Sequence, residues 1–424
     1  MKTYTIYPEK LSGEVTPPPS KSLAHRAIIC AALAEGTSVV TGISDSDDMK
    51  ATLDAVKAMG ATATFIGDGV VQIDGTHTFS ATEMTLDCNE SGSTLRFLIP
   101  LVLAKGGKAR FVGRGQLGTR PLDPYYPIFD QCEVAYQNDS VGGNLDFHVE
   151  GKITGGHFTL PGNVSSQFIT GLLFTLPLAE EDSVLTITGG LESQSYLDLT
   201  LDVLHSFGIA IRNENYKRFL IPGNQKYQPQ NYTVEADYSQ AAFFLCAAAL
   251  GAPLTVKNMN PDSKQGDRAV CKWLEELGYE VTNLDGAMTV TSVDPKGAVI
   301  SGAQCPDIIP ELAIVCALTP GKSEIVESSR LRIKECDRLM ATAQMITVLG
   351  GHVEETEEGL IIEGVTQFTG GDVDSFGDHR IAMTAAVAAV GSSQPILLKD
   401  PDCVRKSYPN FWEDYKSLGG KFHE

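Results

Sequence analysis

Ser165-Ser166-Gln167-Phe168-Ile169-Thr170-Gly171-Leu172-Leu173-Phe174-Thr175-Leu176-Pro177-Leu178-Ala179 opens on small polar residues and runs at once into apolar ones. A helix that is apolar nearly all round is buried inside a domain and not laid on its surface. The same form recurs along the chain: Ser20-Lys21-Ser22 into Ala27–Ala34, Ser91-Gly92-Ser93-Thr94 into Leu95–Ala104, Tyr238-Ser239-Gln240 into Ala241–Leu250, Asp307 into Ile308–Leu318, and Gly377-Asp378-His379-Arg380 into Ile381–Val390. The starts at 20, 91, 165, 239, 307 and 377 are separated by 71, 74, 74, 68 and 70 residues, too regular for chance. A fixed period of this kind marks one structural unit used six times.

Most units carry a second helix that ends on a residue-glycine pair, as in Met59-Gly60, Phe207-Gly208, Leu277-Gly278, Leu349-Gly350 and Leu418-Gly419, the pattern of a left-handed C-cap. The second unit has no such pair after Tyr125–Cys132. A hairpin-like stretch follows each cap, for example Ala63–Ile66 and Val70–Ile73 around Gly67-Asp68-Gly69. The expected fold is α/β and two-lobed, with six repeated βαβαββ-type units, three per domain, and buried parallel helices with sheets outside. The last unit has too few residues after Gly420 for its hairpin, so Thr3–Tyr7 and Gly13–Thr16 are expected to supply the missing strands. The N- and C-terminal lobe would then be 1–19 plus 233–424, the central lobe 20–232, and the crossings would lie at Pro17-Pro18-Pro19 and near Asn231–Asp237. Six helix N-termini, each with unpaired N–H groups and partial positive charge, would face the cleft between the lobes and suit a polyanion.

The chain has 424 residues, enough for two cores, and its formal charge is −20. So acidic a protein is a poor candidate for nucleic acid or an anionic membrane surface. No apolar run reaches the length of a membrane helix, and Met1-Lys2-Thr3-Tyr4-Thr5-Ile6 lacks the apolar core of a signal peptide. Nine cysteines without a C-x-x-C pair read as reduced thiols in the cytoplasm, with neither a disulfide framework nor a zinc site. No P-loop pattern occurs.

Cations collect at the helix starts. Lys21 and Arg26 follow Ser20 as a phosphate or carboxylate cradle, or as a capped helix with two surface cations. Gly113 to Arg120 is a glycine-rich loop ending in Arg. Arg330-Leu331-Arg332-Ile333-Lys334-Glu335-Cys336-Asp337-Arg338 reads by itself as a solvated helix face, Asp307 as a cap or a functional acid, and Arg405-Lys406-Ser407-Tyr408-Pro409 as a surface loop. Their recurrence at equivalent places in repeated units favours an anion site.

Pro19-Ser20-Lys21-Ser22…Arg26, Asn89 to Arg96, Leu117 to Leu122, Val164 to Phe168, Pro306-Asp307, Lys334 to Arg338, Gly377 to Arg380 and Lys406 together resemble the 5-enolpyruvylshikimate-3-phosphate synthase family over the whole chain. The resemblance implies transfer of the enolpyruvyl group of phosphoenolpyruvate to the 5-hydroxyl of shikimate-3-phosphate, by addition and then elimination of phosphate. It implies no cofactor and no metal, and a cytoplasmic monomer. Shikimate-3-phosphate would contact Lys21, Ser22, Arg26, Ser165, Ser166, Gln167, Ser193, Tyr196, Asp307 and Lys334. Phosphoenolpyruvate would contact Lys21, Gly92, Arg120, Gln167, Arg338, Arg380 and Lys406. Asp307 would accept the hydroxyl proton and Glu335 would give one to the methylene, with Lys21 a second proton partner. Glyphosate would compete with phosphoenolpyruvate, and Gly92→Ala would relieve that competition. Phe97, Ser93-Thr94 and Cys336 depart from the commoner pattern. The closest rival, UDP-N-acetylglucosamine enolpyruvyl transferase, usually has a reactive Cys where this chain has Gly115. A rival of another class is a silent anion-binding protein on the same scaffold, against which Asp307 and Glu335 argue.

Overall fold

The computed structural model describes residues 2–81, 83–191 and 193–424. Along the chain the helices are α1 (Lys21–Leu33), α2 (Asp47–Ala58), α3 (Gly92–Val102), α4 (Tyr126–Gln131), α5 (Ser166–Thr175), α6 (Gln194–Ser206), α7 (Tyr238–Ala249), α8 (Ala269–Glu276), α9 (Ile309–Leu318), α10 (Arg338–Val348), α11 (His379–Val390) and α12 (Phe411–Ser417). The odd-numbered helices are the six apolar runs. In α9 every residue from Ile309 to Ala317 is buried, and in α7 all of Tyr238–Ala249.

Six four-stranded sheets share one plan. In the third repeat, Gly156–Pro161 pairs parallel with Ser183–Thr188, which pairs antiparallel with Arg218–Ile221, itself antiparallel to Arg212–Glu214. An apolar helix, α5, joins the parallel pair, because parallel neighbours need a crossover connection. The second helix, α6, leads into the hairpin.

Chain contacts divide the protein into two compact units, Met1–Ser20 with Glu235–Glu424, and Lys21–Val234. Relative to 1–19 plus 233–424 and 20–232, Ser20, Thr233 and Val234 change sides. Ser20 donates its N–H to Glu235 at 2.8 Å, while Thr233 lies in Asn231–Thr233, which pairs parallel with Thr37–Thr41. The two crossing segments run side by side in the first unit, where Pro19 bridges Ala236 and Asp237 N–H reaches Pro18. Each unit has its own core. That of Lys21–Val234 includes Ile28, Leu98, Phe168 and Leu172, and that of the other unit Phe243, Ile314, Ile346 and Ala385.

The N-terminal strands divide their work, which corrects the expectation that both complete the last repeat. Thr3–Ile6 does so, pairing antiparallel with Ile396–Lys399 and with Phe422–His423. Gly13–Val15 instead pairs parallel with Leu254–Val256 and leads the fourth repeat. The second repeat, without a capping glycine, places Glu133 in the left-handed region at φ 55° after α4. Elsewhere glycines fill that position, as Gly60 (φ 110°) and Gly350 (φ 88°) do.

Candidate active site

In Lys21–Val234 hydrogen bonds join the N-terminal ends of α1, α3 and α5. Gln167, held by the Ser165 cap, donates Nε2–H to Ser93 Oγ at 3.0 Å and accepts from Arg96 Nη1 at 2.7 Å. Thr94 and Thr52 hydroxyls lie 2.7 Å apart, and Thr52 lies 2.7 Å from His25 Nδ1. Burial pulls the His25 pKa down to about 3, so its ring is neutral and serves as scaffold.

Around that frame stand the expected cations. Lys21 Nζ pairs with buried Asp48 of α2 at 2.9 Å. Arg26 is buried and donates to Thr200 Oγ1, to the Ser22 carbonyl and to the Tyr196 carbonyl at 2.8, 2.6 and 2.9 Å. It therefore ties α1 to α6, the helix that follows Ser193 in its left-handed conformation (φ 56°). Arg120 lies across Gly92: a Cβ on Gly92 would stand 2.7 Å from its Nη1 and 2.9 Å from its Cζ. Gly92 is thus the surface on which Arg120 rests. Ser20 is no cap; its hydroxyl is buried without a hydrogen-bond partner among the described residues.

In the other unit α7, α9 and α11 pack on one another, and Arg380 joins their N-terminal ends. Its Nη1 donates to the Asp307 carbonyl at 2.7 Å and its Nη2 to Ser239 Oγ at 3.0 Å, while its own N–H is capped by Asp378 at 2.9 Å. Asp307 is not a helix cap. Its carboxylate meets Lys334 at 3.2 Å, Arg338 at 3.0 Å and Arg380 at 3.6 Å. Burial alone would raise its pKa, but Lys334, Arg380 and Arg338 hold it well below the usual carboxylate range. Burial brings Lys334 down to about 8 against the pull of Asp307. Glu335 sits between Arg338 at 2.7 Å and the buried Lys406 at 3.4 Å.

The charged run 330–338 is not one helix face. A short 3-10 turn, Ser329–Ile333, ends before Lys334, and α10 begins only at Arg338, with Asp337 capping Met340 N–H at 3.0 Å. That break sends Arg332 to Asp337 and Glu355, while Lys334, Glu335 and Arg338 turn inward. Arg405-Lys406 likewise ends a 3-10 turn, Pro401–Lys406, that buries Lys406.

A family model described as EPSP synthase (3-phosphoshikimate 1-carboxyvinyltransferase) matches residues 6–415. The chain belongs to the EPSP synthase family. A 3-phosphoshikimate 1-carboxyvinyltransferase of Clostridium perfringens is 49% identical over 422 residues, covering 99% of each chain. One of Clostridium beijerinckii is 51% identical over 432 residues, covering 100% of this chain and 99% of the relative. The solved EPSP synthase of Acinetobacter baumannii superposes with a TM-score of 0.82 at 28% identity over the whole of both chains.

The three departures from the commoner EPSP synthase pattern all have partners here. Phe97 is buried edge-on to Phe174 at 5.6 Å and lies 5.3 Å under the Arg26 guanidinium. Ser93 and Thr94 carry the bonds between helix ends already described. Cys336 directs its Sγ at Asp378 at 3.6 Å. Sequence reasoning gave no role to Asp48, Arg96, Ser239 or Asp378. Asp378 and Ser239 stand at helix starts of the repeat, which was the available signal, and Asp48 lies in the acidic first turn of α2. Arg96 closes the Asn89 to Arg96 stretch that carries the resemblance, but its role depends on Gln167 and the Pro121 carbonyl, 3.1 Å away, which local spacing does not show. All nine cysteines are free. Among the described residues no helix is long and apolar enough to cross a membrane, and no group of three or more His, Cys, Asp or Glu is placed to hold a metal ion.

Proposed function

We propose that the protein is a 3-phosphoshikimate 1-carboxyvinyltransferase whose substrates are phosphoenolpyruvate and shikimate-3-phosphate. The observation that carries this reading is the cluster of Lys334, Arg338, Arg380 and Lys406 around Asp307, Glu335 and Asp378. Four cations drawn together in so acidic a chain are costly to bury without anions to meet them.

Arg338 and Arg380 suit the phosphoenolpyruvate carboxylate, since a guanidinium offers a planar fork. Arg120, Gln167, Lys406 and Lys21 complete its contacts. Lys21, Ser22, Arg26, Ser165, Ser166, Gln167, Ser193, Tyr196 and Lys334 hold shikimate-3-phosphate. Asp307 takes the proton of the 5-hydroxyl as oxygen attacks C2, and Glu335 delivers one to C3. In the free protein Asp307 is a weak base. Each cation that a substrate anion draws toward itself weakens the field on Asp307 and raises its basicity, so binding prepares the base. In the elimination the C2–O bond to phosphate breaks while Glu335 takes a proton back from C3 as the double bond re-forms, and Asp307 gives up its proton to the departing phosphate, so both groups return to their starting states. The site of action is the cytoplasm.

Incubation with both substrates, followed for phosphate release and for the enol ether by NMR, tests the reading. Phosphate release with phosphoenolpyruvate alone, or none with both, would overturn it. Arg120→Ala and Arg338→Ala are each expected to raise KM for phosphoenolpyruvate.

A further inference from the structure

Glu311 stands one helical turn beyond Asp307, in the first turn of α9, and is 0% exposed. Neither carboxyl oxygen has a hydrogen-bond partner among the described residues. On α7, which packs against α9, Gln240 is also buried, and among the described residues neither of its amide atoms has a hydrogen-bond partner. The charged groups that act on Glu311 come from three other elements: Arg380 of α11, Arg338 of α10, and Asp267 in the turn Gly266–Arg268 before α8. Cys246 of α7 also faces it, as a thiol that burial keeps protonated.

An ionised carboxyl stripped of water and of hydrogen bonds is disfavoured, and such a group takes up a proton instead. Burial pushes Glu311 up to about 8 although Arg380 pulls the other way. At neutral pH it is therefore an uncharged acid whose ionisation would act on Arg380, a guanidinium that already answers to Asp307.

We propose that Glu311 is a positioning residue that acts through Arg380: held neutral, it keeps a second negative charge away from the guanidinium that an anionic substrate carboxylate must reach. This rests on the reading of Arg380 as a phosphoenolpyruvate ligand. An arriving anion and an ionised Glu311 oppose each other, so binding favours the protonated acid. Phosphoenolpyruvate affinity then falls as pH rises through the range in which Glu311 ionises. Shikimate-3-phosphate, assigned to Lys334, is not subject to this effect.

The test is KM for each substrate from pH 6.5 to 9.5 in the wild type and in Glu311→Gln, which keeps the shape and cannot ionise. Between pH 7 and 9 the phosphoenolpyruvate KM is expected to rise at least about threefold more in the wild type than in the variant, the effect of one neighbouring charge. The shikimate-3-phosphate KM is expected to change alike in both. Glu311→Leu, also neutral, should flatten the profile in the same way and carries the comparison if Glu311→Gln does not fold. Superimposable phosphoenolpyruvate profiles would overturn the inference. Arg380→Lys separates the two ideas. An unchanged phosphoenolpyruvate KM at pH 7 in that variant removes the assignment of Arg380 itself. A raised KM there, with superimposable Glu311 profiles, removes only the role of Glu311.

Discussion

Asp378 holds Arg338 by two edges, accepting from Nε at 2.6 Å and from Nη2 at 3.2 Å, with Asp378 0% and Arg338 1% exposed. The same carboxylate caps α11 through Arg380 N–H. One side chain therefore sets the plane of one arginine and starts the helix that carries another. Asp378→Asn keeps a capping oxygen and removes the charge. Breaking a buried pair from one side costs on the order of 3 kcal/mol, so the variant should melt earlier and show a phosphoenolpyruvate KM raised by about tenfold. Melting and kinetics equal to wild type would show that Arg338 needs no such clamp.

A methyl group on Gly92 meets the guanidinium of Arg120 at less than 3 Å. Arg120 is flexible at that end, so Gly92→Ala is expected to fold while pushing the guanidinium outward. Phosphoenolpyruvate KM should rise, and inhibition by glyphosate should weaken by a larger factor. An unchanged glyphosate inhibition constant is the outcome that rejects this account.

Glu335 is bonded to Arg338 and lies near Lys406. Glu335→Gln keeps the shape and withdraws the transferable proton, so kcat should fall by about 10²-fold or more while substrate binding measured by calorimetry changes little. Near-normal turnover would move the proton donor elsewhere, with Lys21 next in line.

Lys334 loses its proton near pH 8 because burial disfavours its charge. The cation is present below that pH and lost above it, so shikimate-3-phosphate KM should climb as pH passes through 8. In Lys334→Arg, whose charge persists, the climb should disappear. An identical climb in both proteins would assign it to another group.

His25 binds no proton in the folded protein until about pH 3, whereas the unfolded chain binds one near 6.5. Between those values the unfolded state holds more protons, so stability falls as the pH drops through this window. His25→Asn removes that contribution, and its melting temperature should decline less than that of the wild type between pH 7 and 5. Equal declines would mean that the ring is protonated in the fold.

The repeat was legible because each unit must bury one apolar helix beneath a sheet, and that requirement writes the same pattern near Ser91, Ser165 and Gly377. Charge was harder to read. The segment 330–338 has the composition of an exposed helix, and only the break between Ile333 and Arg338 turns Lys334 and Arg338 toward Asp307. Gly13–Val15 misled for a related reason: as a strand it fits any open sheet edge, and its partner lies more than two hundred residues away.

The sequence by itself determined the six units, the helix that each one buries, and the acids and bases available for chemistry. Those follow from local spacing, which hydrophobic burial and helix geometry act on directly. Tertiary structure alone decided which carboxylate answers which cation, Asp48 to Lys21 and Asp378 to Arg338, and left the Glu311 carboxyl without a hydrogen bond among the described residues. An ion pair or a displaced pKa depends on distances and on lost water, and neither exists until distant segments have packed.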